Sequence, residues 1–315
     1  MTFMDPLART AVGLAAVGRP AYINLGRSAV LPSGRGVPEL REVTYAVLDA
    51  AYAGGVRRVD VARSYGRAEE FLADWLAERG HSDVVVSSKW GYEYVGRWRR
   101  DAEVHEVKEH SLPRFRAQWE HTRSLLAGRV SLYQVHSLTP DSPLFGDEDL
   151  LAALASLTED GVRVGFTTSG PAQAETIRRA LALRISGRPV FSAVQSTWNL
   201  LERSAGPALR EAHEAGVLVQ LKETLANGRL AVDPPTELAR VARELGVEPD
   251  AVAVAACHAQ PWADVVLVGP ASPEQFRSNL AAVGSPLTGQ QRAALSALAT
   301  DPADYWARRS ALAWG

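Results

Sequence analysis

Val56-Arg57-Arg58-Val59-Asp60-Val61-Ala62-Arg63-Ser64-Tyr65-Gly66 reads as a short buried strand followed by its exit loop. An aspartate stands between Val59 and Val61, where an ionised carboxylate is costly unless a positive group meets it. The chain then turns through Ser64 and Gly66 and presents a tyrosine five residues after the carboxylate. Taken alone, Asp60 is explained by a surface arginine and Tyr65 by ordinary aromatic packing.

Two later runs change that reading. Val84-Val85-Val86-Ser87-Ser88-Lys89-Trp90-Gly91 ends an apolar strand in a lysine, and Val130-Ser131-Leu132-Tyr133-Gln134-Val135-His136-Ser137 ends another in a histidine. Successive strands thus deliver Asp and Tyr, then Lys, then His at their carboxyl ends. A parallel barrel collects such positions at one mouth.

With D-x-A-x-x-Y-G at 60–66, the lone strand-end Lys89, L-Y-x-x-H at 132–136 and a helix start running from Gly269 to Asn279, the chain resembles the aldo-keto reductases. The resemblance implies a (β/α)8 TIM barrel in which Asp60, Tyr65, Lys89 and His136 form a catalytic tetrad. It also implies NADPH as cofactor and a small-molecule carbonyl compound as substrate. Gln195 then matches the residue that holds the nicotinamide carboxamide, and Asn279 one near the adenine. Gln275 matches a position that is often basic or glutamine. The chain departs from the family pattern twice: Thr167-Thr168 replaces Ser-Asn after the fifth strand, and Lys222 stands where many members stack an aromatic on the nicotinamide.

The 315 residues suit one large barrel or two ordinary domains, and 46% hydrophobic residues supply a sizeable core. A formal net charge of −2, from 34 basic and 36 acidic residues, gives no reason to expect nucleic acid or a strongly charged surface as partner. The lone cysteine, Cys257, rules out an intrachain disulfide and a cysteine-rich metal site, and it sits in an apolar run as a core residue. The start lacks a signal-peptide pattern and no segment approaches a membrane span, so a cytoplasmic, membrane-free protein is expected.

Along the chain, the small-residue run 10–18 is read as the first strand. A helix follows from Pro38 and is stopped by Gly54-Gly55. Helical spacing of Phe71, Leu72, Trp75 and Leu76 precedes the strand of Lys89, and Ser111 caps a helix with Phe115, Trp119, Thr122 and Leu126 on one face. Helices are expected at 149–157, 172–183, 207–215, 236–245 and 250–258, and strands at 162–168, 192–199, 217–222 and 264–269. This alternation, without a biased linker, predicts one (β/α) barrel over 1–315 rather than two domains. A doubly wound sheet is the other arrangement weighed; the absence of an early G-x-G-x-x-G counts against it.

Residues 90–110 are long for a βα loop and carry Trp90, Tyr92 and Trp98 among arginines, which suggests a substrate wall or a solvated flap. His105 and His110 lie among charges with no cysteine, so solvated histidines rather than metal ligands are expected, and no metal is. The tail after 288 holds Tyr305, Trp306 and Trp314, aromatics that the resemblance places near the substrate mouth.

A carbonyl that accepts hydride needs a proton on its oxygen. A phenol with a pKa of about 10 holds its proton at neutral pH, and a nearby ammonium lowers that value. The resemblance therefore implies Tyr65 as acid, Lys89 and Asp60 as the groups that tune it, and His136 as the group that orients substrate. At Gly269-Pro270-Ala271-Ser272-Pro273-Glu274-Gln275, Ser272 caps a helix whose free N–H groups suit an anion. Two alternatives stay open: a Schiff-base lyase using Lys222 or Lys89, and a catalytically weak nucleotide-binding regulatory or partner subunit.

Overall fold

The computed structural model describes residues 5–315. Its strands in chain order are β1 (Thr10–Gly13), β2 (Arg58–Asp60), β3 (Val85–Trp90), β4 (Tyr92–Tyr94), β5 (Glu106–Lys108), β6 (Val130–Leu138), β7 (Arg163–Thr168), β8 (Arg184–Ile185), β9 (Arg188–Pro189), β10 (Ala193–Thr197), β11 (Leu218–Lys222) and β12 (Val265–Val268). Eight of them, β1, β2, β3, β6, β7, β10, β11 and β12, pair in parallel in that order, and β12 closes back on β1. The barrel is therefore the (β/α)8 arrangement expected from the sequence, not a doubly wound sheet.

Outside the strands, helices pack their apolar stripes. The helix Val37–Ala53 starts with Pro38 in its first turn, buries Leu40, Thr44, Val47, Leu48 and Ala51, and ends at Gly54. Each such leucine or valine contributes about 1.5–3 kcal/mol on full burial. The helix Pro249–His258 is buried along its whole length, Cys257 included. Among the described residues no helix is long and apolar enough to cross a membrane.

Two stretches differ from the sequence expectation. The first strand stops at Gly13, because the chain turns where the Val17 and Gly18 amides donate to the Leu14 carbonyl. Gly18 packs so closely on the next strand's exit loop that a Cβ there would collide with the Tyr65 carbonyl and Ala68. That contact carries Arg19 to the tyrosine.

Residues 90–110 are not an open loop. Strands β4 and β5 pair antiparallel, Tyr92 with Lys108 and Tyr94 with Glu106, and the hairpin folds over the barrel mouth. It turns both histidines inward, against the expectation that they are solvated. His110 is 4% exposed and bonds Ser142 Oγ at 2.8 Å and the His136 carbonyl at 2.9 Å. His105 stacks on Trp314 at 4.4 Å between ring centroids. Among the described residues no group of three His, Cys, Asp or Glu could hold a metal ion.

Candidate active site

In a barrel wall alternate residues point inward. At the carboxyl ends of β2, β3 and β6 this rule sends Asp60, Lys89 and His136 to the interior. Asp60 is 2% exposed, and its compensation comes mainly from β3 and β10. Lys89 Nζ from β3 forms an ion pair with Asp60 Oδ1, while Ser87 Oγ (2.7 Å) and Gln195 Nε2 (3.0 Å) donate to Oδ2. The positive partner that a carboxylate in an apolar strand demands is thus Lys89.

Lys89 uses all three of its N–H donors: beyond Asp60 it reaches the Val61 carbonyl at 3.0 Å and the Tyr65 hydroxyl at 3.3 Å. Tyr65 stands on the exit loop, which Gly66 turns at a φ of 63°. Its ring meets His136 edge-on at 5.6 Å, and the Arg19 guanidinium lies 5.3 Å from its centroid. Burial, followed by the Asp60 carboxylate, pushes the phenol well above its ordinary value, with Arg19 opposing. The net direction is opposite to the lowering expected from Lys89, set by burial and the Asp60 carboxylate, and Tyr65 holds its proton as a donor.

His136 lies at a break in register. The pairing of β6 with β7 shifts between Val135 and Leu138, Ser137 takes a φ of 55°, and its amide donates to Thr167 Oγ1 at 2.7 Å. Burial first, then the charges of Lys89, Lys222 and Arg19, holds the imidazole well below its ordinary value, so it is neutral. Asp60, Tyr65 and His136 line one cavity, with Lys89 directly beneath the phenol.

The other expected site residues divide. Gln195, Lys222, Gly269, Gln275 and Asn279 line the same cavity. Thr167 and Thr168 are fully buried and do not. Thr167 supports the Ser137 turn, and Thr168, outward by the period of two, bonds Ser196 Oγ at 2.6 Å; Ser169 reaches the cavity in their place. Ser272 caps the helix Pro273–Leu280 by accepting from the Gln275 amide at 3.2 Å, which turns its hydroxyl away from the lining.

The expected substrate wall is corrected in two places. Trp90 follows inward Lys89 and so faces outward, fully buried against Phe115 at 5.1 Å. Trp98 packs edge-on against Phe71 and donates to the Arg35 carbonyl at 2.9 Å. Tyr92 does line the cavity, 5.1 Å from the His136 ring. Of the tail aromatics only Trp314 reaches the mouth; Tyr305 and Trp306 belong to a second buried cluster, and Asn199 donates to the Tyr305 hydroxyl at 3.0 Å.

Sequence reasoning singled out Lys222 but missed Arg19, Glu106 and Arg309, which complete a ring of charge around the mouth. Arg19 is 1% exposed, pairs with Glu106 of β5 at 2.6 Å and lies over Tyr22 and Trp314. Lys222 lies 3.6 Å from Glu223, whose carboxylate Arg309 of the C-terminal helix also grips, its Nε 2.9 Å from each oxygen. Burial lowers Lys222 to about 8. Burial alone would raise Glu223, but Arg309 and Lys222 overcome it and hold the carboxyl at about 2. A charge inside an apolar run, as at Gly18-Arg19-Pro20, is the one signal that pointed to Arg19.

The residues present fit a dinucleotide. The cavity runs from Tyr65 and His136 to Gly269, Gln275 and Asn279, and Asn279 Oδ1 is buried there without a partner. The sequence model of the Aldo/keto reductase family matches residues 36–300. Aldo-keto reductase str7 of Strobilurus tenacellus is 25% identical over 98% of this chain and 97% of its own length. An NADP(+) aryl-alcohol dehydrogenase of Phanerodontia chrysosporium is 24% identical over 65% of this chain and 54% of its own. Among solved structures, an aldo-keto reductase of Bacillus halodurans in its holo form superposes with a TM-score of 0.65 at 20% identity, covering 93% and 92% of the two chains, a likeness of fold.

Proposed function

Because the chain belongs to the aldo/keto reductase family, an oxidoreductase family, we propose that it reduces an aldehyde or ketone to an alcohol with Tyr65 as the general acid. The reading is carried by one contact, the Tyr65 hydroxyl 3.3 Å from Lys89 Nζ, with Asp60 paired behind the ammonium.

A bound NADPH or NADH supplies the hydride, which no side chain carries. The resemblance implies NADPH; the walls around the adenosine, rather than the catalytic groups, decide between the two. The carbonyl oxygen sits between the Tyr65 hydroxyl and His136. As negative charge builds on that oxygen, the phenol gives up its proton, and the phenolate left behind faces the Lys89 ammonium. Asp60 fixes that ammonium in place. The neutral His136 ring has one N–H to donate, and its hydrogen bond sets the direction of the carbonyl. Tyr92, edge-on to His136, and Trp314 supply apolar walls for a hydrophobic or planar substrate.

The test is a panel of aldehydes and ketones with either cofactor, on wild type and Tyr65→Phe. The variant is expected to lose about 10²–10⁴ in kcat while binding cofactor normally; an unchanged rate removes Tyr65 as the acid. A second reading rests on the lowered pKa of Lys222, about 8, which leaves part of it as free amine near neutral pH. Borohydride trapping of a carbonyl adduct on Lys222 would favour that Schiff-base reading. Lys89, with every donor engaged, is not a candidate for it.

A further inference from the structure

The end of the cavity away from Tyr65 is built without a cation. With hydride delivered beside Tyr65 and His136, the rest of a dinucleotide would have Thr224, Leu225, Asn227, Gly228 and Leu267–Pro270 as walls. Gln275, Asn279 and Asp250 complete that lining. Asp250, in the first turn of the helix Pro249–His258, is 7% exposed. Its carboxylate accepts only neutral donors, Ser278 Oγ at 2.9 Å and Asn279 Nδ2 at 2.6 Å.

Those contacts fix Asn279. With its amide nitrogen bonded to Asp250, its Oδ1 is left as an acceptor, buried with no partner in a residue that lines the cavity. It calls for a donor on the ligand, such as an amino or hydroxyl group. The cations that line the cavity, Arg19, Lys222 and Arg309, belong to the catalytic end and are committed to Glu106 and Glu223. Arg277, the one basic residue of the helix Pro273–Leu280, is exposed and pairs with Glu274 at 3.4 Å.

We propose that this end, which carries the Asp250 carboxylate and no lysine or arginine, selects an adenosine with a free 2′-hydroxyl, so that the protein takes NADH in preference to NADPH. A 2′-phosphate is a near-dianion at neutral pH. In a partly desolvated pocket it would face the Asp250 carboxylate, and the lining lysine and arginines, Lys222, Arg19 and Arg309, are paired at the catalytic end and do not offset the repulsion there. A hydroxyl or amino group, by contrast, supplies the hydrogen that Asn279 Oδ1 lacks. The physical logic is the one by which an acidic side chain reads the ribose hydroxyl, and a basic one the 2′-phosphate, in dinucleotide folds of other architecture. The inference rests on the proposed reductase reading and replaces the NADPH implied by the sequence resemblance.

The test is a fluorescence titration of the full chain, without carbonyl substrate, using NADH, NADPH and adenosine 2′,5′-bisphosphate as ligands. NADH is expected to bind at least about tenfold more tightly than NADPH, and the bisphosphate weakly. Asp250→Asn is expected to narrow the NADH to NADPH ratio by improving NADPH; Asn279→Ala is expected to weaken both alike. NADPH binding as tightly as NADH to wild type overturns the proposal whether or not the variants fold. If NADPH binds tightly and supports Tyr65-dependent turnover, the cofactor inference falls and the reductase reading stands; if neither dinucleotide binds, both fall.

Discussion

Lys89 and Lys222 approach the same cavity from strand ends, and their charges are compensated differently. Lys89 has a carboxylate to itself, since Asp60 lies on the adjacent strand and its second oxygen is occupied by Ser87 and Gln195. Lys222 shares Glu223 with Arg309, which takes the closer contacts, and its remaining hydrogen bond is to Thr197 Oγ1 at 3.0 Å. The first cluster balances one charge against one within the barrel wall. The second places two cations on one carboxylate and ties the end of β11 to the helix Pro302–Ser310. A matched pair gives a fixed ammonium under an acid, whereas an unmatched set gives an amine free to titrate and a tether for the tail.

Removing a partner from the matched pair gives the largest effect. Lys89→Met leaves Asp60 as a buried, unpaired carboxylate, which is expected to cost about 3–5 kcal/mol in urea unfolding. Activity falls with it, by about 10² or more, because the phenolate formed at Tyr65 loses its neighbouring charge. A variant as stable as wild type would show that the hydroxyl and amide donors alone satisfy Asp60, and the contrast between the two lysines would lose its basis.

The matched pair is also the part of the site that sequence makes legible. An aspartate or a lysine inside an apolar strand is conspicuous because burial makes each costly without the other, and the strand–helix rhythm places both at one barrel mouth. The partners of Arg19 and Arg309 are set by tertiary approach: Glu106 arrives on a hairpin and Arg309 on a helix 86 residues from Glu223. Composition carries no sign of either encounter. Trp90 and Thr168 show a finer limit. Each is one residue from an inward-facing position, and with a side-chain period of two that single step moves the group to the outer face. Such an assignment needs strand register, which helix and strand patterns leave open.

Glu223→Gln tests the second cluster next. The substitution leaves Lys222 and Arg309 facing each other, and a loss of about 3 kcal/mol is expected at neutral pH. The folded carboxyl is held at about 2, below its ordinary 4.5. Its contribution is therefore fully present above about pH 4.5 and drains away as pH falls toward 2, so the wild-type advantage over the variant should shrink across that window. A constant advantage down to pH 2 would mean that Glu223 packs the tether without carrying its charge balance.

Lys222→Met gives the smallest and most selective effect, because Arg309 still compensates Glu223 when the lysine is gone. Burial depresses Lys222 from 10.5 to about 8, so the unfolded chain binds more protons than the folded one between those values. Stability from this residue therefore rises with pH through that interval, as folding ceases to be penalised by an ammonium that burial disfavours. Wild type should gain about 2 kcal/mol on Lys222→Met between pH 8 and 10.5, less than the full shift implies because the side chain keeps some exposure on the cavity wall. Urea unfolding of both proteins at the two pH values measures the difference directly. Parallel curves would place Lys222 in the same class as Lys89, a lysine whose charge is fully met by its surroundings, and would remove the free amine on which the Schiff-base reading depends.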